Sequence, residues 1–299
     1  YTFIATPNAC ILSGGSPWFF DIEKDSLILD LKQVEKKLKT DTFRKGKFYY
    51  HKKTKQRVFA ICPVYTLGFL PDLVKIKKLA KSYNLKILAD AACAIGSSFN
   101  GKKLSLYNDA VTYSFNGNKS ISSGGGGAIC INNRSIYEKA NLLISNGKVG
   151  PYFHESFGLN LKITGLHAAL GLGQIKELKK IIKIKKMIRE KYINFFTKNN
   201  IKTFYLNKKT SSSIWLNFLV TKKDINKKIF SYAQKSKINL NYFWKPMHLQ
   251  PFLKSNLKEE MKNTNIIWKK ILVLPSSLHL TSKNIIKIKK FLNKNLKFL

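Results

Sequence analysis

Short apolar runs alternate with amphipathic stretches along the first two-thirds of the chain. Residues 57–64, 85–89, 110–115 and 128–131 are apolar runs with the length of buried strands. Residues 29–38 carry apolar side chains at helical spacing. Residues 71–83 do the same behind Pro71, which the first turn of a helix tolerates. Residues 18–22 read as a strand leaving the Gly14-Gly-Ser-Pro turn, and residues 1–6 as a strand running into a loop. Strand and helix in alternation predict parallel crossover units and a mostly parallel sheet, hence an α/β fold. Residues 135–144 read as a helix with Ser135 as its N-cap. Ile175, Leu178, Ile182, Ile188, Tyr192 and Phe195 recur mostly at threes and fours, so residues 164–196 predict a long helix with a solvated lysine face. Residues 213–220 and 238–244 read as strands, and residues 224–235 and 284–296 as helices. The boundary falls at 199–202. It divides the chain into a large domain, residues 1–198, and a small α+β domain, residues 199–299.

Composition adjusts this picture in two places. At 299 residues and 44% hydrophobic, the chain can bury a core for one large and one small domain. Its formal net charge of +38 is of the size that nucleic-acid binders carry. The kind of charge argues otherwise. Arg44, Arg57, Arg134 and Arg189 are the only arginines, and arginine is the preferred reader of bases and phosphate forks. Abundant lysine, asparagine, isoleucine, phenylalanine and tyrosine read as the drift that AT-rich codons produce. Cys10, Cys62, Cys93 and Cys130 show neither a CxxC pair nor a zinc spacing, so buried free thiols in a reducing compartment are expected, with no metal. No apolar run reaches membrane-spanning length and no signal peptide is visible, so the expected location is the cytoplasm.

The chemistry concentrates in residues 89–128. Asp90 ends one apolar run, and the next run ends in a turn that carries Lys119. Gly124 to Gly127 follow, and then a third run. Three strands of one sheet bring Asp90 and Lys119 to neighbouring strand ends, where α/β sheets place their sites. A lysine amine there suits a Schiff base with the aldehyde of pyridoxal phosphate, and a carboxylate suits its pyridine nitrogen. Read alone, a lysine in a turn is solvated surface, an aspartate at a strand end caps a turn, and a glycine run is a flexible loop.

Asp90-Ala-Ala-x-Ala-x-Gly, Ser114-Phe-x-x-x-Lys119, the glycine run and Gly158-x-Asn160-x-Lys162 together resemble the sugar aminotransferases of the DegT/DnrJ/StrS type. The resemblance extends from Tyr1-Thr-Phe-Ile-Ala-Thr6 to Trp244-Lys-Pro-Met-His248 and Leu274-Pro-Ser-Ser277. It implies a fold-type-I, pyridoxal-phosphate-dependent transferase, working as a homodimer with shared sites. The amino group would pass from an amino acid, glutamate above all, to a nucleotide-linked 4-keto-6-deoxy sugar for surface polysaccharide synthesis. It implies Lys119 as the Schiff-base lysine, Asp90 on the pyridine nitrogen, and Phe3 stacked on the ring. Ser114 and Asn160 would hold the cofactor phosphate, Asn160 from the partner subunit. Lys245 and His248 are candidates to face the substrate.

Three positions depart from the family pattern. Cys93 stands where glutamine or histidine is usual near the phenolic oxygen, Lys162 replaces an arginine, and Asn241 stands where relatives often carry arginine. The family's phosphate-gripping Ser-Gly-Thr loop belongs upstream of Tyr1, so the chain reads as lacking an N-terminal segment. Rival readings are a sister sugar dehydratase, an inactive fragment, and a basic polyanion-binding module. Lys119 argues against the dehydratase, whose lysine is replaced by histidine.

Overall fold

The computed structural model describes residues 1–204 and 206–299. A sheet of four strands organises the first part of the chain, in the order β1 (Ala60–Ile61), β2 (Lys86–Asp90), β3 (Ala110–Ser114) and β4 (Gly127–Ile131). β1, β2 and β3 run parallel, and β4 runs antiparallel to β3. The register sets Asp90 against Thr112 and Ser114 against Gly127. The mostly parallel α/β sheet expected from the alternating runs is therefore present.

The helices of this part are α1 (Ala5–Leu12), α2 (Leu31–Asp41), α3 (Leu73–Ser82), α4 (Arg134–Ile144), α5 (Gly165–Lys176) and α6 (Leu178–Lys198). α3 starts where Asp72 accepts hydrogen bonds from the amides of Val74 and Lys75, one residue beyond Pro71. Leu73, Ile76, Leu79 and Ala80, spaced by threes and fours, face Leu85, Ile87, Ala89 and Val111 in the first core. Each large apolar side chain buried this way contributes about 1.5–3 kcal/mol. This packing fixes the end of β2, where the Asp90 amide donates to Pro63 O and the Asp90 carbonyl accepts from Tyr65 N.

Beyond residue 199, β5 (Asn217–Val220), β6 (Asn241–Tyr242) and β7 (Ile271–Leu274) form an antiparallel sheet with β7 in the middle. α7 (Lys228–Lys235), α8 (Lys262–Ile267) and α9 (Ser282–Lys294) complete this part. α6 lays Ile188, Tyr192 and Phe196 against Leu219, Leu272, Ile285, Ile288 and Leu292. A third core joins the two parts, with Phe69 and Cys93 packed among Trp215, Phe218, Phe243 and Val273.

Several expectations need correction. Residues 5–12 form α1 rather than continuing a strand-to-loop segment. Residues 18–22 make only isolated bridges, Phe19 to Lys258 and Ile22 to Leu29, because their neighbours are irregular segments rather than strands. Asn133, not Ser135, caps α4 by accepting from the Ile136 amide. The helical stretch at 164–196 is two helices that meet at Glu177. β7 was missed, although Ile-Leu-Val-Leu is buried at every position, with Leu272 and Leu274 in one core and Ile271 and Val273 in another on the opposite face. All four cysteines are free, but only Cys93 is buried. Cys62 and Cys130 are exposed, Cys130 because β4 has an open face.

That open face is extensive. α4 has no buried residue, and α5 buries only Gly171. Leu166 on α5 is 81% exposed, with Leu170, Leu172 and Ile175 also exposed. Among the described residues, no helix is long and apolar enough to cross a membrane, and no cluster of metal-ligating side chains occurs.

α6 also buries an amine. Lys185 is 6% exposed, and its Nζ donates to Trp215 O at 3.0 Å and Ser276 O at 3.2 Å. Burial pushes this amine from the ordinary 10.5 down to about 8. Between those two values the unfolded chain binds the proton that the folded chain has given up. Stability therefore rises with pH across that window, and below it the cost is present in full. Wild type should gain on Lys185→Met by on the order of 2 kcal/mol between pH 8 and 10 in urea unfolding. Parallel pH profiles for the two proteins would contradict this.

Candidate active site

The end of β2 carries the first functional group. Asp90 is partly buried. Its Oδ1 accepts from the Ala92 amide at 3.0 Å, and its Oδ2 accepts from Thr6 Oγ1 at 2.6 Å and Thr2 Oγ1 at 3.5 Å. Thr6 lies in the first turn of α1, so the helix that sequence reading missed steadies this carboxylate. Thr2 and Thr6, four residues apart, also hydrogen-bond each other at 2.8 Å.

The turn after β3 carries the second. Phe115 N donates to Gly126 O, Ser123 N to Phe115 O, and Lys119 N to Asn116 O. The glycine run has a definite purpose at Gly127, where a Cβ would lie 2.3 Å from Tyr113 O. Lys119 Nζ reaches to 3.6 Å from Cys93 Sγ and sits 4.1 Å from the centroid of the Trp215 ring. It makes no salt bridge among the described residues. Burial pushes the Cys93 thiol up to about 12, so a neutral thiol faces the Lys119 amine at neutral pH.

An aromatic wall flanks this pair. Trp215 and Trp244 lie 5.9 Å apart between centroids, Phe243 stacks on Trp244 at 4.6 Å, and Tyr1 stacks on Phe243 at 5.3 Å. Phe3, half exposed, tilts against Trp244 at 5.9 Å. Tyr1 Oη donates to Trp244 O. The N-terminal loop and the Trp-Lys-Pro-Met-His segment, distant in sequence, thus meet beside Lys119.

The other candidate residues are placed differently. Ser114 ends β3, and its hydroxyl accepts from the Asn116 amide at 3.3 Å. Asn160 is exposed and bridges Ser145 through its backbone; no hydrogen bond among the described residues joins it to Asp90, Ser114 or Lys119. Its loop is held by a close approach of Gly158 to Gly147, where a Cβ on Gly158 would lie 2.1 Å from Gly147 N. Lys245 is exposed. His248 is buried, with Nε2 against Asn265 Oδ1 at 2.8 Å and no partner for Nδ1 among the described residues, and burial lowers its pKa. Trp215 went unnoticed in the sequence, because nothing local marks an indole 96 positions from its lysine as a neighbour.

Residues 1–293 match the DegT/DnrJ/EryC1/StrS aminotransferase family. The chain is similar to a GDP-perosamine synthase of Vibrio cholerae, 29% identical over 84% of this chain and 65% of that protein. It is also similar to a UDP-4-amino-4,6-dideoxy-N-acetyl-beta-L-altrosamine transaminase of Campylobacter jejuni, 29% identical over 95% of this chain and 74% of that one. Among solved structures, a DegT DnrJ EryC1 StrS aminotransferase from Brucella abortus superposes with a TM-score of 0.89 at 21% identity, covering 99% of this chain and 77% of that chain. Helicobacter pylori PseC, an aminotransferase, gives 0.85 at 23% identity, covering 100% and 78%. At those identities the structures establish shared fold, and the match over nearly the full sequence establishes descent: this chain belongs to the DegT/DnrJ/EryC1/StrS aminotransferase family.

Proposed function

We propose that the chain works as a fold-type-I, pyridoxal-phosphate-dependent sugar aminotransferase in the cytoplasm. It takes an amino group from glutamate and gives it to the keto carbon of a nucleotide-linked 4-keto-6-deoxy sugar, for surface polysaccharide synthesis. Residues 1–198 serve as the cofactor domain and residues 199–299 as the small domain. One observation carries the reading: Asp90 and Lys119 leave neighbouring strands, and the Lys119 amine reaches Cys93, three residues past Asp90, at 3.6 Å.

The donor set fits the cofactor. A carboxylate braced by hydroxyl and amide donors suits a ring nitrogen, and an amine with no acidic partner among the described residues suits an aldehyde. Ser114, at the end of β3, suits the phosphate. When bound, pyridoxal phosphate acts as the electron sink that lets a carbon beside nitrogen give up its proton. Asp90 holds the ring, while Thr6 and the Ala92 amide hold Asp90. Lys119 Nζ takes and returns the proton at the reacting carbon. Phe3, Phe243 and Trp244 keep water from that side, and Cys93 lines the site as a neutral thiol. Lys245 and His248 belong to the substrate end.

The sugar class rests on the two curated relatives, whose names both specify nucleotide-linked amino sugars. Lysine rather than histidine at 119 favours amino transfer over dehydration. A homodimer covers the apolar face of α5 and lets Asn160 serve the partner's site. Leu166→Glu combined with Leu170→Glu should halve the mass read by light scattering; an unchanged mass would remove α5 from the interface.

The test is a balanced assay with glutamate and a nucleotide-linked 4-keto-6-deoxy sugar. Amino sugar and 2-oxoglutarate are expected in equal amounts. Water loss from the sugar with glutamate untouched would instead identify a dehydratase.

A further inference from the structure

The segment 212–215 has no part in the reading above, yet it is buried throughout and strained. Ser212, Ser213, Ile214 and Trp215 are each at most 4% exposed. Ile214 holds φ +50°, a left-handed conformation in which a β-branched side chain is a genuine outlier. Hydrogen bonds pin it from several sides. Ile214 N donates to Ser212 Oγ at 3.0 Å, Ser213 N to Ser97 Oγ at 3.0 Å, and Trp215 N to Leu67 O at 3.4 Å. The Trp215 carbonyl accepts from the buried Lys185 amine. Leu67, opposite, is itself at φ +57°. Its neighbour Gly68 approaches so closely that a Cβ would lie 2.5 Å from Ser212 Oγ.

Strain persists where the surroundings over-determine it, and it clusters where geometry matters for function. Here it delivers one indole to one turn. Trp215 Nε1–H donates to Asn118 O at 2.7 Å, on the residue just before Lys119. The face of the same indole meets Lys119 Nζ, 4.1 Å from its centroid, within the range of a cation–π contact. One side chain thus fixes both the backbone of the turn and the amine at its end.

We propose that Trp215 is the positioning residue of this site: its indole holds the Lys119 amine on its face and pins the turn beneath it, and the strained 212–215 segment aims the indole. The purpose of this arrangement rests on the aminotransferase reading. With no cofactor linked, the amine stays beside Cys93 instead of sampling solvent on a flexible stem. Lys185 steadies the arrangement from behind through the Trp215 carbonyl.

The test uses cofactor-free protein and a lysine-acylating reagent, with site-by-site rates read by mass spectrometry. Exposed Lys102 and Lys283 are internal controls in every sample. Trp215→Leu should raise the Lys119 rate about three- to tenfold relative to those controls. Trp215→Phe keeps an aromatic face but loses the bond to Asn118 O, so its Lys119 rate should fall between wild type and Trp215→Leu. A Lys119 rate unchanged against the controls in a folded Trp215→Leu protein overturns the proposal. Lys119→Met supplies a second signature that needs no change at Trp215. Removing the ammonium should alter the tryptophan emission, and the difference should vanish in the Trp215→Phe background, because among the described residues Trp215 is the tryptophan whose ring face the Lys119 amine meets. Coincident emission spectra of wild type and Lys119→Met also overturn the proposal, and this comparison decides if Trp215→Leu does not fold. Capture of pyridoxal phosphate at a different lysine sinks the cofactor assignment alone and leaves both readouts standing.

Discussion

Lys119→Ala should lower amino transfer by about 10⁴-fold or more while leaving the fold and noncovalent cofactor binding in place. Two losses combine in this variant. The amine that links to the cofactor is gone, and so is the group that carries a proton to and from the reacting carbon, worth about 10²–10⁴ by itself. Structural damage should be small. The Lys119 side chain is partly exposed, and its partners are a thiol and an indole face rather than a buried carboxylate. The turn keeps its backbone bonds, Lys119 N to Asn116 O and Trp215 Nε1–H to Asn118 O. Single-turnover conversion of the bound cofactor by glutamate checks it. A variant that still turns over within about tenfold of wild type would transfer the role to another amine.

Asp90→Asn should slow both half-reactions by about one to two decades with no change in melting temperature beyond a degree or two. A charged hydrogen bond is worth about 1.5–3 kcal/mol, and in the proposed role the charge would face the group that must accept electrons. The amide is nearly isosteric and can keep its carbonyl toward Ala92 N, so the β2 end survives. Its NH₂ would then face Thr6 Oγ1, which can rotate to accept. Thr6→Val tests the bracing separately. It removes the 2.6 Å donor without touching the charge and should cost about a decade or less. Equal rates of pyridoxamine phosphate formation in wild type and Asp90→Asn would refute the assignment of Asp90.

The sequence was most legible where periodicity and burial agree. The runs that became β2 and β3 sit among amphipathic helices, and Ile87, Ala89 and Val111 pack into the first core, so the strand ends that carry Asp90 and lead to Lys119 are marked in the sequence. It was least legible where tertiary contacts overrule local pattern. Thr2 and Thr6 gave no sign of bracing Asp90, because that needs residues 5–12 to coil into a helix whose own amphipathic signal is weak. Trp215 was invisible for a different reason. Its contact with Lys119 depends on a left-handed isoleucine that no propensity favours. His248 shows the converse: a recognisable motif carried it into the candidate set, and its burial with Asn265 as partner had no sign in the sequence. The exposed leucines of α5 lie in a segment that reads as part of one long helix with a solvated lysine face, because sequence cannot say which neighbour covers the apolar side.

The central claim is that one lysine, in a chain crowded with lysines, carries the cofactor. Borohydride reduction of the protein purified with pyridoxal phosphate, followed by peptide mapping, addresses it directly. The account predicts a single stoichiometric phosphopyridoxyl label on Lys119, lost in Lys119→Ala. A label spread over surface lysines, or fixed on any other residue, contradicts it.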